Sequence, residues 1–281
     1  MKTLGYYNGT VDELEQMRVP MLDRACYFGD GVYDVTFTRN HHPFELDEHI
    51  ERLFQSAAQV RIVPPLGHDE LAGLVRDLIA RVDDGEQWVY MQFSRGTGFR
   101  AHAFPDGSIP TNLWIMLRPM KIRDLHLPMR CITYPDTRFS HCNVKSLNLL
   151  PNVLASEAAR AAGVDECVLV RDGVVTECAH SNLSILKDGV LITHPADCHI
   201  YAGTARNHLL RECRAHGIPV EEREYAPADL WTADEVLVCS ASVLCVPVAE
   251  LDGKPLGGKA PHTVRLLQDA LLADFMAKTE G

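Results

Sequence analysis

At 281 residues the chain is long enough for one large domain or two medium ones, either of which buries a real core. A hydrophobic share of 46% and a charged share of 23% are those of an ordinary globular protein, which argues against a disordered or fibrous chain. The net charge of −11 argues against a nucleic-acid surface, since phosphate backbones need a cationic face, yet leaves room for a small anionic ligand in a locally cationic pocket.

The opening residues, MKTLGYYNGTVDELE, turn polar too early to hold the apolar core of a signal peptide. No apolar run reaches the length of a membrane span; the stretch from Val236 to Val248 is short and broken by Ser240 and Ser242. A strand of β-branched and aromatic residues is expected at Gly31 to Thr38, followed by a turn over Arg39–Pro43. Asp47 reads as the N-cap of a helix whose apolar positions are Ile50, Leu53, Phe54, Ala57 and Ala58. A second helix from about His68 to Val82 carries Leu71, Leu74, Val75, Leu78 and Ile79 on one face. Trp88 to Ser94 and Asn112 to Leu117 read as strands, and the long loop between them, Arg95 to Thr111, has the length of a functional loop.

Arg118 to Pro128 mixes prolines with charges and is the best linker. The spacing therefore predicts an N-terminal α/β domain over residues 1–118, a linker over 119–127 and a C-terminal α/β domain over 128–281. In the second part a strand at Met129 to Tyr134 precedes a helix from Leu149 to Ala162 that stops at Gly163. Two hairpins turn at Arg171-Asp172-Gly173 and Lys187-Asp188-Gly189. A helix from Ala205 to His216 and a strand from Glu235 to Cys239 follow. The economical reading is an α/β protein of the α+β type, two domains with a cleft between them.

Nine cysteines, an odd number with no CxxC pair, fit reduced thiols in the cytoplasm better than a disulfide frame. No metal site is expected, because His141 and Cys142 are adjacent instead of ligand-spaced and no second pair lies nearby in sequence.

Several residues have side chains suited to chemistry. Lys145, in HCNVKSLN, lies between an extended stretch and a helix; a lysine in a pocket beside other cations loses its proton readily and becomes a nucleophile. Taken alone it is indistinguishable from a surface lysine. Glu177, in VVTECAHSN, sits on a strand opposite in face to Thr176 and Cys178, and a carboxylate aimed into a cleft can keep a pyridine nitrogen protonated. Gly203-Thr204-Ala205 opens a helix, whose first N–H groups and dipole favour an anion. The Ser240-Ala241-Ser242 turn adds further donors, and Arg52, in EHIERL, sits off its helix's apolar face as a possible phosphate clamp. Arg100 and His102, in SRGTGFRAHAF, can project together from an extended piece and grip a carboxylate, with Tyr33 as a neighbour or a core residue.

In this order and spacing, RACYFGDGVYDV, EHIERL, KSLNLL, TECAHSN and the C-terminal strand-turn resemble the fold type IV family of pyridoxal-phosphate enzymes, across essentially the whole chain. The resemblance implies pyridoxal 5′-phosphate in the interdomain cleft and a Schiff-base role for Lys145, which is also the acid–base. It implies that Glu177 partners the pyridine nitrogen, and that Arg52, Ser181, Asn182, Tyr201, Thr204, Ala205, Ser240 and Ala241 bind the cofactor. The Arg100–His102 pair with Tyr33 resembles the carboxylate trap of the D-amino-acid aminotransferase subgroup. The implied activity is ping-pong transamination of D-amino acids such as D-alanine or D-glutamate with a 2-oxo acid, in a cytoplasmic homodimer. An L-branched-chain aminotransferase, an R-selective amine transaminase and a non-catalytic cofactor binder are the alternatives. The chain departs from the family pattern at Ala205 and Ala241, where hydroxyl residues are frequent, and at Ala179, His180 and Tyr201, which together imply weakened cofactor retention.

Overall fold

The computed structural model describes residues 1–105 and 109–280, so residues 106–108 of the long loop lie outside the described residues. By contacts the chain forms two compact units: Met1–Lys121 with Val144–Asn148 and Phe275–Gly281, and Ile122–Asn143 with Leu149–Asp274. The linear division at 119–127 would give the lysine segment to the C-terminal part; its contacts group it with the first unit instead.

In the first unit, strands β1 (Leu4–Tyr7) and β2 (Thr10–Asp12) precede the short helix α1 (Arg24–Phe28) and strands β3 (Gly31–Arg39) and β4 (His42–Pro43). Helices α2 (Leu46–Gln59) and α3 (His68–Ile79) and strands β5 (Gln87–Ser94) and β6 (Asn112–Pro119) follow. The six strands form one sheet in the order β2-β1-β6-β5-β3-β4. Its core joins Val32, Met91, Phe93 and Ile115 to Ile50 and Leu53 of α2 and Leu71 and Val75 of α3, all fully buried. Asp47 is not the N-cap of α2: the cap lies two residues earlier, at Glu45, with φ 51° and no side-chain cap. The long loop is tied down at its start by Arg95, which donates to Asp30 and to the carbonyls of Val60 and Arg61.

Gly31 has a local reason. A Cβ there would lie 2.5 Å from the carbonyl oxygen of Phe93 and 2.7 Å from the side chain of Leu147. The segment carrying Lys145 therefore reaches the start of β3: Tyr33 N–H donates to the Lys145 carbonyl (2.9 Å) and Leu147 N–H to the Gly31 carbonyl (3.1 Å).

In the second unit, β7 (Met129–Pro135), α4 (Leu150–Ala162) and β8 (Glu166–Arg171) make a strand-helix-strand unit with the two strands parallel. Strand β9 (Val174–Cys178) returns against β8, and β10 (Asn182–Lys187) and β11 (Val190–Thr193) form the second expected hairpin. Both turns place an Asp-Gly pair at positive φ (Asp172 and Gly173; Asp188 and Gly189), the conformation that matches strand twist in a two-residue hairpin. Helix α5 (Thr204–Ala215), β12 (Val220–Glu222), α6 (Pro227–Thr232), β13 (Glu235–Cys239), β14 (Val246–Leu251) and β15 (Lys254–Pro255) lead to α7 (Pro261–Lys278). A nine-stranded sheet runs β12-β11-β10-β13-β14-β7-β8-β9, with β15 beside β14. Among the described residues no helix is long and apolar enough to cross a membrane.

Candidate active site

In the first unit the site grows from the alternation of β3. Asp34 shares a sheet face with Val32 and Thr36, all buried, so a carboxylate stands on the face that α2 covers. Helix α2 answers with His49, Arg52 and Ser56, spaced i, i+3, i+7 and hence on one side. Arg52 grips Asp34 with Nε (3.2 Å to Oδ2) and Nη2 (2.8 Å to each oxygen), and His49 Nδ1 lies 2.7 Å from Asp34 Oδ1. Burial opposes the charge on Asp34, but Arg52, His49 and Lys145 outweigh it and hold the carboxyl well below its usual range. Burial pushes the His49 imidazole down, against the pull of Asp34, so it is the neutral ring whose Nδ1–H donates.

Lys145 is joined to this group through its backbone and its charge. Its N–H donates to Ser56 Oγ (3.3 Å), and its Nζ lies 4.7 Å from the centroid of the Tyr33 ring. Tyr33 itself is half-buried and stacks on Tyr90 at 5.4 Å. Lys145 thus meets the face of Tyr33, and its charge is felt by the buried Asp34 carboxylate. Arg100 and His102 come together around another ring: the Arg100 guanidinium is 4.9 Å from the Phe28 centroid and the His102 ring 5.1 Å. Both are exposed.

In the second unit Glu177 is only 6% exposed, so its carboxylate is turned away from bulk solvent. Thr176 and Cys178 are buried as well, so both faces of β9 are covered. The Glu177 carboxylate receives Arg138 Nη1 at Oε1, and Asn182 Nδ2 (2.8 Å) and Tyr201 N–H (3.2 Å) at Oε2. Arg138 also binds Asp136 through Nε (2.9 Å) and Nη2 (2.8 Å) and the His199 carbonyl (2.9 Å). Burial opposes the charge on Asp136 too, yet its bonds with Arg138 win and hold it below the ordinary carboxylate range. Arg138 and Asp136 were not anticipated from sequence, and neither were Asp34 and His49.

Asn182 is the hub between Glu177 and the start of α5. Besides Glu177, its Nδ2 donates to the Tyr201 carbonyl (2.8 Å), and its Oδ1 accepts from Gly203 N–H (3.1 Å). A Cβ at position 203 would stand 2.6 Å from that Oδ1, which is why glycine precedes the helix. Gly203 is the N-cap of α5 and offers no side-chain cap to the N–H groups of the first turn, where Thr204 and Ala205 sit buried. Ser240 Oγ and Ser242 Oγ, 3.1 Å apart, flank half-buried Ala241 in the other turn. Ser181 is spoken for: its hydroxyl donates to buried Glu166 (3.0 Å).

These groups fit the parts of a phosphorylated pyridine. A buried carboxylate paired with an arginine suits a ring nitrogen, an uncapped helix start suits a phosphate, and a lysine beside an aromatic face suits an aldehyde. Residues 31–251 match the family model of the amino-transferases class IV. The chain is 34% identical over 283 residues to the D-alanine aminotransferase of Bacillus licheniformis, covering 99% of each. It is 38% identical over 267 residues to that of Listeria monocytogenes, covering 93% of this chain and 92% of the relative. Among solved structures, the branched-chain amino acid aminotransferase of Escherichia coli superposes with a TM-score of 0.87 at 24% identity, covering 98% of this chain and 95% of that one.

Proposed function

Because the chain belongs to the class IV aminotransferases, we propose that it transaminates D-amino acids, passing the amino group to a 2-oxo acid by a ping-pong mechanism. The observation that carries the substrate class is the near-full-length similarity to D-alanine aminotransferases at 34–38% identity. The branched-chain enzymes of similar shape share only 24% identity or less, which speaks to the fold and not to the substrate.

Pyridoxal 5′-phosphate, the cofactor of the family, supplies the electron sink for the carbanion formed at the substrate's α-carbon. In this proposal Lys145 would hold the cofactor at its aldehyde through Nζ, and the same Nζ, once freed by the substrate, would serve as the acid–base that carries the substrate's α-proton. Asp34 and Arg52 fix the charge around that nitrogen, and the ring of Tyr33 limits where it moves. Glu177 holds a proton at the pyridine nitrogen, and Arg138 with Asn182 keeps Glu177 ionised and aimed. The N–H groups of Thr204 and Ala205, the Ser240–Ala241 turn and Arg52 receive the phosphate; Ser181, Asn182 and Tyr201 shape the wall beside it. Arg100 and His102 bind the substrate carboxylate, and the face of the α-carbon that Lys145 reaches then sets the stereochemistry. We place the enzyme in the cytoplasm as a homodimer with each site near the subunit interface.

The test is a substrate panel of D-alanine, D-glutamate, L-leucine and R-1-phenylethylamine, each paired with 2-oxoglutarate or pyruvate. Turnover of the D-amino acids at least tenfold above the others is expected. Preference for L-leucine or for the amine would move the chain to the neighbouring activity.

A further inference from the structure

We propose that His194, Asp197 and His199, in the segment between β11 and α5, bind a divalent first-row transition-metal ion of the zinc class. One nitrogen of each imidazole and one carboxylate oxygen of Asp197 lie within 4.8 Å of one another. The sequence reading expected no metal because it looked for paired Cys and His; here the ligands come at i, i+3 and i+5 from a single segment, HPADCH.

The separations suit an ion better than they suit direct bonds. Nδ1 of His194 is 3.8 Å from Asp197 Oδ1, and Nδ1 of His199 is 3.7 Å from Asp197 Oδ2. Both distances exceed a hydrogen bond, so the carboxylate stands between two imidazoles without being bonded to either ring. Ligands about 2.0–2.1 Å from a tetrahedral ion stand roughly 3.3–3.5 Å apart, so a few tenths of an ångström separate the His199–Asp197 pair from ligand geometry, while His194, whose Nδ1 faces the Pro195 carbonyl, offers Nε2. Two imidazoles and a carboxylate make a borderline nitrogen-oxygen set, which suits zinc, cobalt or nickel over calcium or magnesium.

The surroundings hold the ligands as metal sites hold theirs. Nδ1 of His194 lies 2.9 Å from the Pro195 carbonyl, a second-shell bond of the kind that fixes the tautomer of a ligating imidazole and leaves Nε2 with its lone pair. The His199 N–H donates to Asp197 Oδ1 (2.7 Å), which sets the carboxylate's direction. Arg206 Nη2 donates to the His194 carbonyl (2.9 Å) and Arg138 Nη2 to that of His199 (2.9 Å), so the backbone is braced at both ends. His194 is buried, whereas Asp197 and His199 reach solvent, so water completes the coordination and the ion has an entry path. An ion there would also stiffen the segment that delivers Tyr201 to Glu177 and Gly203 to Asn182.

The experiment is equilibrium dialysis of the full-length protein, with its cofactor as purified, against ZnCl2, reading bound zinc per chain beside a thermal melt. The arms are the unaltered protein, His199→Ala, Asp197→Asn and the exposed-histidine control His262→Ala. Asp197→Asn keeps the acceptor for the His199 N–H, so it removes the charge with little change to the fold. One zinc per chain is expected, with a dissociation constant raised at least tenfold in both site variants and unchanged in the control. The zinc-induced rise in Tm disappears with it. Zinc binding that survives both site variants would assign the ion to the free thiols or the cofactor and overturn the proposal, as would a chain that takes up no zinc.

Discussion

Replacing Arg138 by alanine tests how far one guanidinium holds two enclosed carboxylates in the fold. The guanidinium serves two enclosed carboxylates, Glu177 and Asp136, and its loss leaves both short of a counter-charge. Breaking a buried pair from one side costs about 3–5 kcal/mol. Partners that survive pull the figure down. Asp136 keeps Arg171 Nη2 (3.1 Å) and Thr176 Oγ1 (2.9 Å), and Glu177 keeps Asn182 Nδ2 and Tyr201 N–H. We therefore expect about 3 kcal/mol, or a Tm lowered by roughly 6–12 °C for a chain of this size. The pH dependence has a definite direction. Asp136 titrates below its unfolded value of about 3.9, so its pairing contributes in full above that pH and is lost as pH falls through the folded value. Thermal melts of both proteins should thus show the full gap at pH 7 and a narrowing gap below about pH 4. A Tm within 2 °C of the unaltered protein at pH 7, or a gap that widens on acidification, would refute the reasoning. Arg138→Lys should fall between, since an ammonium keeps the charge but not the fork.

Asp34→Asn leaves Arg52 facing an amide and removes a carboxylate that the Lys145 charge stabilises; melts at pH 7 should show a loss of about 2–4 kcal/mol, shrinking below about pH 4 because Asp34 is depressed in the fold. Arg100→Ala should lower kcat/KM for D-alanine by roughly 10–100-fold, the worth of a charge-assisted carboxylate contact, and undiminished turnover would remove Arg100 from substrate binding. Pyridoxamine phosphate, lacking the covalent link to Lys145, should bind weakly, because alanine stands at 205 and 241 and the Ser181 hydroxyl is engaged by Glu166. A dissociation constant in the tight nanomolar range, measured by fluorescence titration, would contradict that.

Local signals in the sequence located the elements that carry their own instructions. The two Asp-Gly turns, the apolar stripes of α2 and α3 and the Gly163 stop needed no knowledge of distant partners. Other features escaped because a local preference lost to context. Asp47 has the chemistry of an N-cap, but Glu45 takes the left-handed residue and α2 begins before Asp47 is reached. Helix α7 went unmarked although Val264, Leu267, Leu271 and Phe275 are buried at helical spacing, because exposed Leu266 and Met276 blur the stripe.

The site divides along the same line. Lys145 and Glu177 could be named from motifs, but what makes each of them more than an ordinary charge comes from residues far away in sequence. For Lys145 it is Asp34 on a core-facing strand position, satisfied by His49 and Arg52 one turn apart on α2. That arrangement had a trace in the sequence: an acid in phase with Val32 and Thr36, and a histidine and an arginine three residues apart. An acid on a buried face is costly unless answered, so such a pattern demands a basic partner on the covering helix. For Glu177 the answering residue is Arg138, 39 positions earlier on a different segment, and no spacing within TECAHSN points to it. The identity of the two reacting groups is therefore local information, whereas the charged partners set around them are a property of the fold.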